Sequence, residues 1–403
     1  MRMALEGVKI LELTVLINGP LGTALLGDMG AEVIRIEDLP GGDPARAHRL
    51  DGLPSPHPIN YLMELQSRNK KSVGLDLRRE GASEVVHRLV SGVDAFVSNL
   101  REATLKRWLL DYNTLAGINP GLVYALATGY GGQGPDADLP AQDYGVMARA
   151  GLLSVIGEPE APPPPMGMVA VADHVGASML AYGLMLALFH KERTGEGQKL
   201  YTSLLGGQIA LQAMALQSYL ITGEHPQNLS RKSMPNPLRN LYQTADGRWI
   251  CLGMGWSDRF WAGFCRAIRR EELIADSRFD WAGKRAENAS ALVSILDQVF
   301  ATLSLNEWLS IMREHRLPSS SVNSYAELAQ DPQVWENGYL TTVEHPVHGE
   351  LKEVGLPVQL TRTPGRVRTP SPELGQHTEE VLVEMGGFGW DEITRLKERG
   401  VII

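Results

Sequence analysis

The sequence predicts an α/β fold: a large domain with an open, largely parallel sheet, accompanied by a smaller α+β domain. In the first half of the chain, short β-branched runs alternate with amphipathic stretches, the pattern of a parallel sheet covered by helices. The chain has 403 residues, more than one hydrophobic core usually organises, so we expect two domains. A polar, proline-bearing stretch at 223–240 separates the two patterns.

The elements of the large domain follow in strand and helix order. The first strands are predicted in VKILEL and AEVIRIE, with the helical LGTALLGDMG between them and Gly30 at its C-terminus. The strands KSVGLDL and VDAFVSNL flank the helix REGASEVVHRLVSG, and PGLVYALATGYG is a strand that enters a glycine-rich loop. A helix from about His174 to Glu192, the strand-like QKLYTSLL and one helix over GGQIALQAMALQSYLI complete the domain.

The second domain begins with a predicted hairpin in LYQTADGRWICLGM, with Asp246 and Gly247 at its turn. Helices are predicted in DRFWAGFCRAI, NASALVSILDQVFATL and NEWLSIMREH. The tail is strand-like in GELKEVGLPVQLTRTP and helical in LGQHTEEVLVEMG and WDEITRLKERG. We therefore divide the chain into a large domain at 1–224, a small domain at 225–325 and a C-terminal segment at 326–403 that returns to the large domain.

Composition excludes several classes of function. The net charge of -9 argues against a nucleic-acid-binding protein. Cys251 and Cys265 provide neither a disulfide framework nor metal-ligand spacing, so no metal is expected. The N-terminus lacks the features of a signal peptide, and the longest apolar stretch, Met179 to Phe189, is too short to span a bilayer. The sequence thus predicts a cytoplasmic protein with no membrane partner.

Ligands of open parallel sheets bind beyond the carboxyl ends of the strands, so we expect chemistry near Ile17, Ser98, Gly129 and Ala172. The first loop lacks the G-x-G-x-x-G fingerprint, although Glu37 ends the second strand as a ribose-binding acid would. A nicotinamide-dependent oxidoreductase therefore stays an alternative. A basic cluster is interpreted mainly as a solvated face; it comprises Lys70, Lys71, Arg78, Arg79, Arg101, Lys106 and Arg107.

Asp173 is an unusual charge among small and apolar residues in AVADHVGASM, just before a helical run. Aspartate is a favoured N-cap, so this residue is interpreted first as the start of the helix. The same position also keeps a shielded carboxylate ionised, and such a carboxylate is a competent nucleophile. Both interpretations stay open from the local pattern. His174 does not share a helical face with its neighbour, which argues against a catalytic pair.

Several stretches in order along the chain carry a family resemblance. They include GVKILELTVLINGPLGTALLGDMGAEVIRIEDLPGGDPAR, RNKKSVGLDLRREG, VSNLREATLKRW, INPGLVYALATGYGGQGP, DYGVMARAGLLSVIGEPEAPPPPMGMVAVADHVGAS and HKERTGEGQKLYTSLL. Together they resemble the class III CoA-transferase family, which includes formyl-CoA transferase and the related α-methylacyl-CoA racemases. The resemblance implies a Rossmann-like large domain, an interlocked homodimer, no tightly bound cofactor and a coenzyme A thioester as substrate.

The resemblance also assigns roles to individual residues. Asp173 matches the nucleophile that forms an acyl anhydride and then an aspartyl-CoA thioester, with glycine-rich loops such as TGYGGQG as candidate oxyanion donors. The positions matching substrate contacts are Ile17, Asn18, Leu75, Arg78, Asn99, Leu100, Arg107, Gln142 and Tyr144. CoA transfer to a carboxylic acid is the expected function.

Two departures from the family pattern narrow this expectation. Gln142 stands where the racemases carry an acid/base histidine, and an amide cannot exchange the α-proton, so transfer is favoured over racemisation. RKSMPNPLRN has no counterpart of the glycine loop of formyl-CoA transferase, which predicts an acceptor other than formate or oxalate. An acyl-CoA racemase or isomerase and a non-catalytic CoA-binding protein stay as alternatives.

Overall fold

The computed structural model describes residues 2–47, 58–159, 161–165, 169–226 and 228–403. The strands are β1 (Lys9–Leu13), β2 (Glu32–Asp38), β3 (Lys70–Leu75), β4 (Ala95–Ser98), β5 (Val123–Thr128), β6 (Gln198–Ser203), β7 (Leu241–Gln243), β8 (Trp249–Leu252), β9 (Ser319–Ser321), β10 (Leu340–His345) and β11 (Gly349–Val354). The helices are α1 (Asn18–Asp28), α2 (Tyr61–Ser67), α3 (Ala82–Val90), α4 (Glu102–Arg107), α5 (Tyr112–Ile118), α6 (Asp143–Arg149), α7 (Val171–Thr194), α8 (Leu204–Leu211), α9 (Ala213–Thr222), α10 (Ser257–Ala267), α11 (Ala282–Glu287), α12 (Ala289–Phe300), α13 (Leu305–Glu314), α14 (Tyr325–Leu328), α15 (Pro332–Glu336), α16 (Thr378–Glu384) and α17 (Trp390–Glu398).

The predicted α/β fold is confirmed. Six strands form a parallel sheet in the order β3-β2-β1-β4-β5-β6. The order reverses between β1 and β4, so the loops that leave these two strands diverge and open a crevice at the carboxyl edge of the sheet. The sheet topology therefore places a crevice where open α/β sheets bind their ligands.

Both faces of the sheet are buried along β1 to β5, which explains the largely apolar runs of these strands in the sequence. On one face, Leu11 and Phe96 belong to the same core cluster as Val86 and Leu89 of α3. On the other face, Ile10 clusters with residues of the long helix α7. The spacing of apolar residues in α3 turns one helical stripe toward the sheet and leaves the opposite face polar.

The described residues group into two compact units. The first comprises Met1–Leu152, Pro165–Glu224 and Pro332–Ile403, and it contains the six-stranded sheet and the antiparallel hairpin β10–β11. The second comprises Leu153–Pro164 and His225–Asp331. Its antiparallel sheet β7-β8-β9 packs with α10, α12 and α13 around an aromatic core that includes Tyr242, Phe264 and Phe300.

Two local predictions are wrong. The stretch predicted as one helix forms α8 and α9, which bend by 74° at Gln212, where the side chain donates to the carbonyls of Gln208 and Ala150. In the tail, only Gly349–Val354 of the predicted strand is extended and paired, because its antiparallel partner β10 begins at Leu340, which lies opposite Val354, so the ladder ends there.

The helix α7 (Val171–Thr194) is longer than the apolar stretch Met179 to Phe189, which by itself is too short to span a bilayer. By length and composition, its 24 residues are enough to cross a bilayer. If each of the bent helix pairs α8–α9 and α12–α13 is counted as one span, the described residues contain up to three such spans. In the structure one face of α7 packs on the sheet, while Tyr182 and Phe189 are exposed on the other. One face of α7 thus belongs to the hydrophobic core, and the other face exposes apolar side chains.

Candidate active site

An open cavity of about 480 Å³ lies at the switch point of the sheet. This volume is in the range of small-molecule sites, ~300–1,000 Å³. Its walls come from the loops after β1, β4 and β5 and from the first residues of α6, α7 and α8. They include Val15, Leu16, Ile17, Asn18, Asn99, Leu100, Arg101, Glu102, Gly129, Gly131, Gly132, Gln142, Asp143, Tyr144, Asp173, Tyr201 and Leu204.

The loop after β1 is held in place by side chains from two other elements. Asn99 forms two hydrogen bonds with the backbone of Val15. Its Oδ1 accepts from the Val15 N–H at 2.9 Å, and its Nδ2 donates to the Val15 carbonyl at 2.7 Å. The next residue, Leu16, has a φ of 62°. This left-handed backbone conformation is unfavourable for a residue other than glycine. Its N–H donates to both carboxylate oxygens of Asp43, at 3.0 and 3.2 Å. The backbone facing the cavity is therefore fixed by hydrogen bonds.

Beneath this loop lies a buried network of charged side chains. Asp43 pairs with the guanidinium of Arg35, which also lies 3.4 Å from Glu12. Lys70 donates from Nζ to Glu12 at 2.7 Å and to the carbonyl of Pro20 at 2.7 Å. Burial lowers the pKa of Lys70 to about 8. The interpretation of Lys70 as part of a solvated face is wrong, because Lys70 and its carboxylate partner Glu12 are both buried.

Asp173 lies within the first turn of α7, not at its N-cap. The helix begins at Val171, and its N-cap is Ala170, which has no capping side chain and a φ of 46°. The Asp173 N–H instead donates to Oδ1 of Asp143, at 3.0 Å. The N-cap interpretation of Asp173 is therefore wrong. Burial raises the pKa of the half-buried Asp173 carboxyl to about 7, and the nearby negative charge of Asp143 contributes to this rise.

Asn18 packs against α7 one turn beyond Asp173, and a glycine makes room for it. An added Cβ on Gly176 would lie 2.2 Å from Nδ2 of Asn18 and 2.9 Å from Cδ2 of Leu204. Asn18 itself is buried, and its Oδ1 has no hydrogen-bond partner among the described residues. This oxygen is itself buried, so Asn18 carries an unsatisfied acceptor in the interior next to the cavity.

The glycine-rich loop after β5 forms another wall. The Gly131 N–H already donates to the hydroxyl of Thr128 at 2.9 Å. Gly132 lies against the ring of Tyr201, where an added Cβ would approach Cε1 to 2.4 Å. Tyr201 donates to Glu102 at 3.2 Å on the cavity rim. The loop is thus shaped by close packing, and the use of its N–H groups for an oxyanion stays a prediction.

The structure brings most of the sequence-predicted site residues to this one cavity. Those lining it are Ile17, Asn18, Asn99, Leu100, Gln142, Tyr144 and Asp173. Three others lie outside it: Leu75 is buried at the end of β3, Arg78 binds Asp76 and the Leu39 carbonyl, and Arg107 is exposed at the end of α4. Their predicted contacts with coenzyme A are neither supported nor contradicted by this cavity.

Sequence reasoning missed Asp143, whose carboxylate accepts the backbone N–H of Asp173 at 3.0 Å. The residue lies between Gln142 and Tyr144, which both match substrate contacts of the family. Its partner lies 30 positions further along the chain, and no local pattern links the two. Among the described residues, no group of three or more His, Cys, Asp or Glu side chains is arranged to hold a metal ion.

Comparison with known proteins gives a family match over most of the chain. The model of the CoA-transferase family III matches residues 5–378. The chain is 31% identical over 401 residues to the (R)-2-hydroxy-4-methylpentanoate CoA-transferase of Clostridioides difficile, covering 99% of this chain and 100% of that protein. It is 33% identical over 407 residues to the cinnamoyl-CoA:phenyllactate CoA-transferase of Clostridium sporogenes, covering 99% and 97%.

The fold is also similar to that of solved structures. A CAIB/BAIF family protein from Brucella suis superposes with a TM-score of 0.83 at 26% sequence identity. The superposition covers 96% of this chain and 100% of that one. The similarity thus extends through both compact units, beyond the parallel sheet alone.

Proposed function

The chain belongs to CoA-transferase family III and is an enzyme of that type, and we propose that it moves coenzyme A from an acyl-CoA thioester to a carboxylic acid through intermediates carried on Asp173. The position of Asp173 carries this proposal. Its carboxyl lies in the switch-point cavity, at the first turn of a helix, beside backbone that is fixed by side-chain hydrogen bonds. Such a carboxylate meets the geometric needs of a nucleophile.

The proposed steps conserve the activated acyl bond throughout. A carboxylate oxygen of Asp173 attacks the thioester carbonyl carbon, the carbon–sulfur bond breaks, and CoA thiolate leaves behind an aspartyl–acyl anhydride. The thiolate then attacks the aspartyl carbonyl, the donor acid leaves as its carboxylate, and an aspartyl-CoA thioester forms. The acceptor carboxylate displaces the thiolate to give a second anhydride. Attack of the thiolate on the acceptor carbonyl releases the new acyl-CoA and restores Asp173, with no net proton or electron transferred.

The raised pKa of Asp173 bears on the first step. A carboxylate with a pKa of about 7 is more basic than an ordinary aspartate, and nucleophilicity rises with basicity. The same shift leaves part of the enzyme protonated at neutral pH, where the carboxyl cannot attack. The site thus combines a stronger nucleophile with a smaller ionised fraction.

Gln142 supports transfer over racemisation in this proposal. It lines the same cavity as Asp173, but its amide neither removes nor returns an α-proton. Its donor and acceptor are suited to holding a carbonyl or carboxylate of the substrate. A racemase would reveal itself by exchange of the substrate α-proton with deuterated solvent, and we expect no such exchange.

We also propose that the enzyme is an interlocked homodimer, as the family resemblance implies. An exposed apolar surface supports an assembly. Its members are Leu186 and Phe189 of α7 and Met214, Leu220 and Ile221 of α9, and Met214 is 83% accessible. Apolar surface of this kind marks a protein or membrane contact. Sedimentation should give a dimer at every concentration that supports activity; an active monomer, or binding to lipid vesicles instead, would contradict this assembly.

The covalent intermediate provides the decisive experiment. Wild type and Asp173→Asn are incubated with a panel of acyl-CoA thioesters, including succinyl-CoA and the thioesters of 2-hydroxy and aryl acids, and are then analysed by intact-protein mass spectrometry and peptide mapping. A CoA-sized adduct on the Asp173 peptide, absent in the variant, is the expected result and identifies the donor. Asp136→Asn, which removes a surface carboxylate paired with Arg149, is the matched control and should keep the adduct.

Two results would contradict the proposal. If Asp173→Asn transfers CoA at the wild-type rate, the carboxylate is not the nucleophile. If no donor gives an adduct while CoA still binds, transfer does not pass through an intermediate carried on Asp173. Calorimetric binding of NAD would favour the oxidoreductase alternative.

A further inference from the structure

At the N-terminus of α7, a free backbone N–H group is bound by a side chain from another helix. The first N–H groups of a helix have no partner inside it, and a Ser, Thr, Asp or Asn side chain at the N-cap usually accepts one of them. Here the N-cap is Ala170, which has no side-chain acceptor. The third N–H of the helix, that of Asp173, donates to a carboxylate from the start of a different helix, α6. Asp143 therefore caps α7 from outside.

We propose that Asp143 is a positioning residue for Asp173: it anchors the first turn of α7 and supplies the negative charge that the Asp173 carboxylate faces. The inference rests on the proposed role of Asp173 as nucleophile and goes beyond it by naming the group that sets its position and reactivity. The 3.0 Å bond fixes the backbone of Asp173 directly, so the direction from which its carboxylate meets a thioester depends on Asp143.

The charge of Asp143 acts on the same carboxylate. Burial makes the largest contribution to the raised pKa of Asp173, and the charge of Asp143 adds to it. Other charged or titratable side chains around the cavity are Arg101, Glu102, Asp138, Tyr144 and Tyr201. His174 is exposed, with its Nδ1 2.9 Å from the carbonyl of Ala170. Asp143 is distinguished from these groups because it is bonded to Asp173 itself.

Two substitutions separate the anchoring role from the electrostatic one. Asp143→Asn keeps a side-chain oxygen that accepts the Asp173 N–H but removes the charge. Asp143→Ala removes both the charge and the acceptor. Asp136→Asn removes a carboxylate near the far end of α6 and serves as the matched control for loss of one negative charge.

The electrostatic role is tested by the pH dependence of adduct formation, measured as the rate at which the CoA adduct appears on Asp173. In wild type the rate rises with pH to a plateau, because the ionised carboxylate is the reacting form. In Asp143→Asn we expect the midpoint to fall by about one pH unit and the plateau rate to fall, since the carboxylate is less basic. Asp136→Asn should keep the wild-type midpoint. An unchanged midpoint in Asp143→Asn, with the adduct still on Asp173, would overturn the electrostatic role.

The anchoring role is tested without chemistry. Hydrogen–deuterium exchange of the peptide that contains the start of α7 should be faster in Asp143→Ala than in wild type and nearly unchanged in Asp143→Asn. Equal exchange in all three proteins would overturn the anchor. If wild type forms no adduct on Asp173 at all, the proposed catalytic function fails, while the exchange experiment still decides whether Asp143 caps the helix. The two failures are therefore distinguishable.

Discussion

Gly176 of α7 provides a sharp steric test of the site, with a control in the same helix. An added Cβ at Gly176 would lie 2.2 Å from Nδ2 of Asn18, far inside contact distance. At Gly183, two turns further along, the nearest atom would be Cδ1 of Leu200 at 3.3 Å, which requires an adjustment of only a few tenths of an ångström. Alanine is thus tolerated at one glycine and obstructed at the other.

The comparison isolates the cost of the clash. Replacing glycine by alanine inside a helix gains about 1 kcal/mol of intrinsic propensity, and this gain cancels between two positions of one helix. Overpacking a buried site costs ~1–3 kcal/mol. We therefore expect Gly176→Ala to be about 2 kcal/mol less stable than Gly183→Ala, because the buried side chain of Asn18 must move.

Displacement of Asn18 should also affect binding, because this residue lines the cavity beside Asp173. The assays are urea unfolding at matched protein concentration and the steady-state kinetics of CoA transfer. Gly176→Ala should raise KM for the acyl-CoA, whereas Gly183→Ala should keep the wild-type value. The reasoning fails if the two variants unfold at the same urea concentration and have the same KM, because Asn18 would then have room to move without consequence.

Three further predictions concern the network, the loop and the nucleophile. Lys70→Met leaves the buried carboxylate of Glu12 short of a partner and should lower the free energy of unfolding by about 3 kcal/mol, while adding Glu12→Gln should restore most of it in a double-mutant cycle of urea unfolding. Asn99→Ala removes both bonds to Val15 and should raise KM for acyl-CoA in steady-state assays without abolishing the adduct; an unchanged KM would show that the loop holds its shape alone. The rate of adduct formation on Asp173 should rise with pH through about 7, since the pKa is raised and the ionised form reacts; a flat profile between pH 5 and ~9 in rapid-quench assays would contradict this.

The fold could be predicted from the sequence because its signals are local. Short apolar runs indicate β1 to β6, and helical periodicity indicates the helices between them. Because the strands are parallel, the loops after β1, β4 and β5 lie at one edge of the sheet. The charged partners could not be predicted, because they are distant in sequence. Lys70 begins a strand next to another lysine, a surface-like pattern, and its partner Glu12 lies 58 positions away. Only the pairing of the strands shows that the two side chains share the interior.

The structure reveals one device used twice around the cavity. Asp43 accepts the N–H of Leu16 in the loop after β1, and Asp143 accepts the N–H of Asp173 at the start of α7. In both places the neighbouring backbone has a positive φ at a residue with a side chain, at Leu16 and at Ala170. Such conformations cost of order 1–3 kcal/mol and persist where surrounding contacts enforce them. A carboxylate bonded to a backbone N–H at or near each of these residues contributes to that enforcement. These two acids therefore help to fix the walls of the cavity in which we propose that Asp173 attacks.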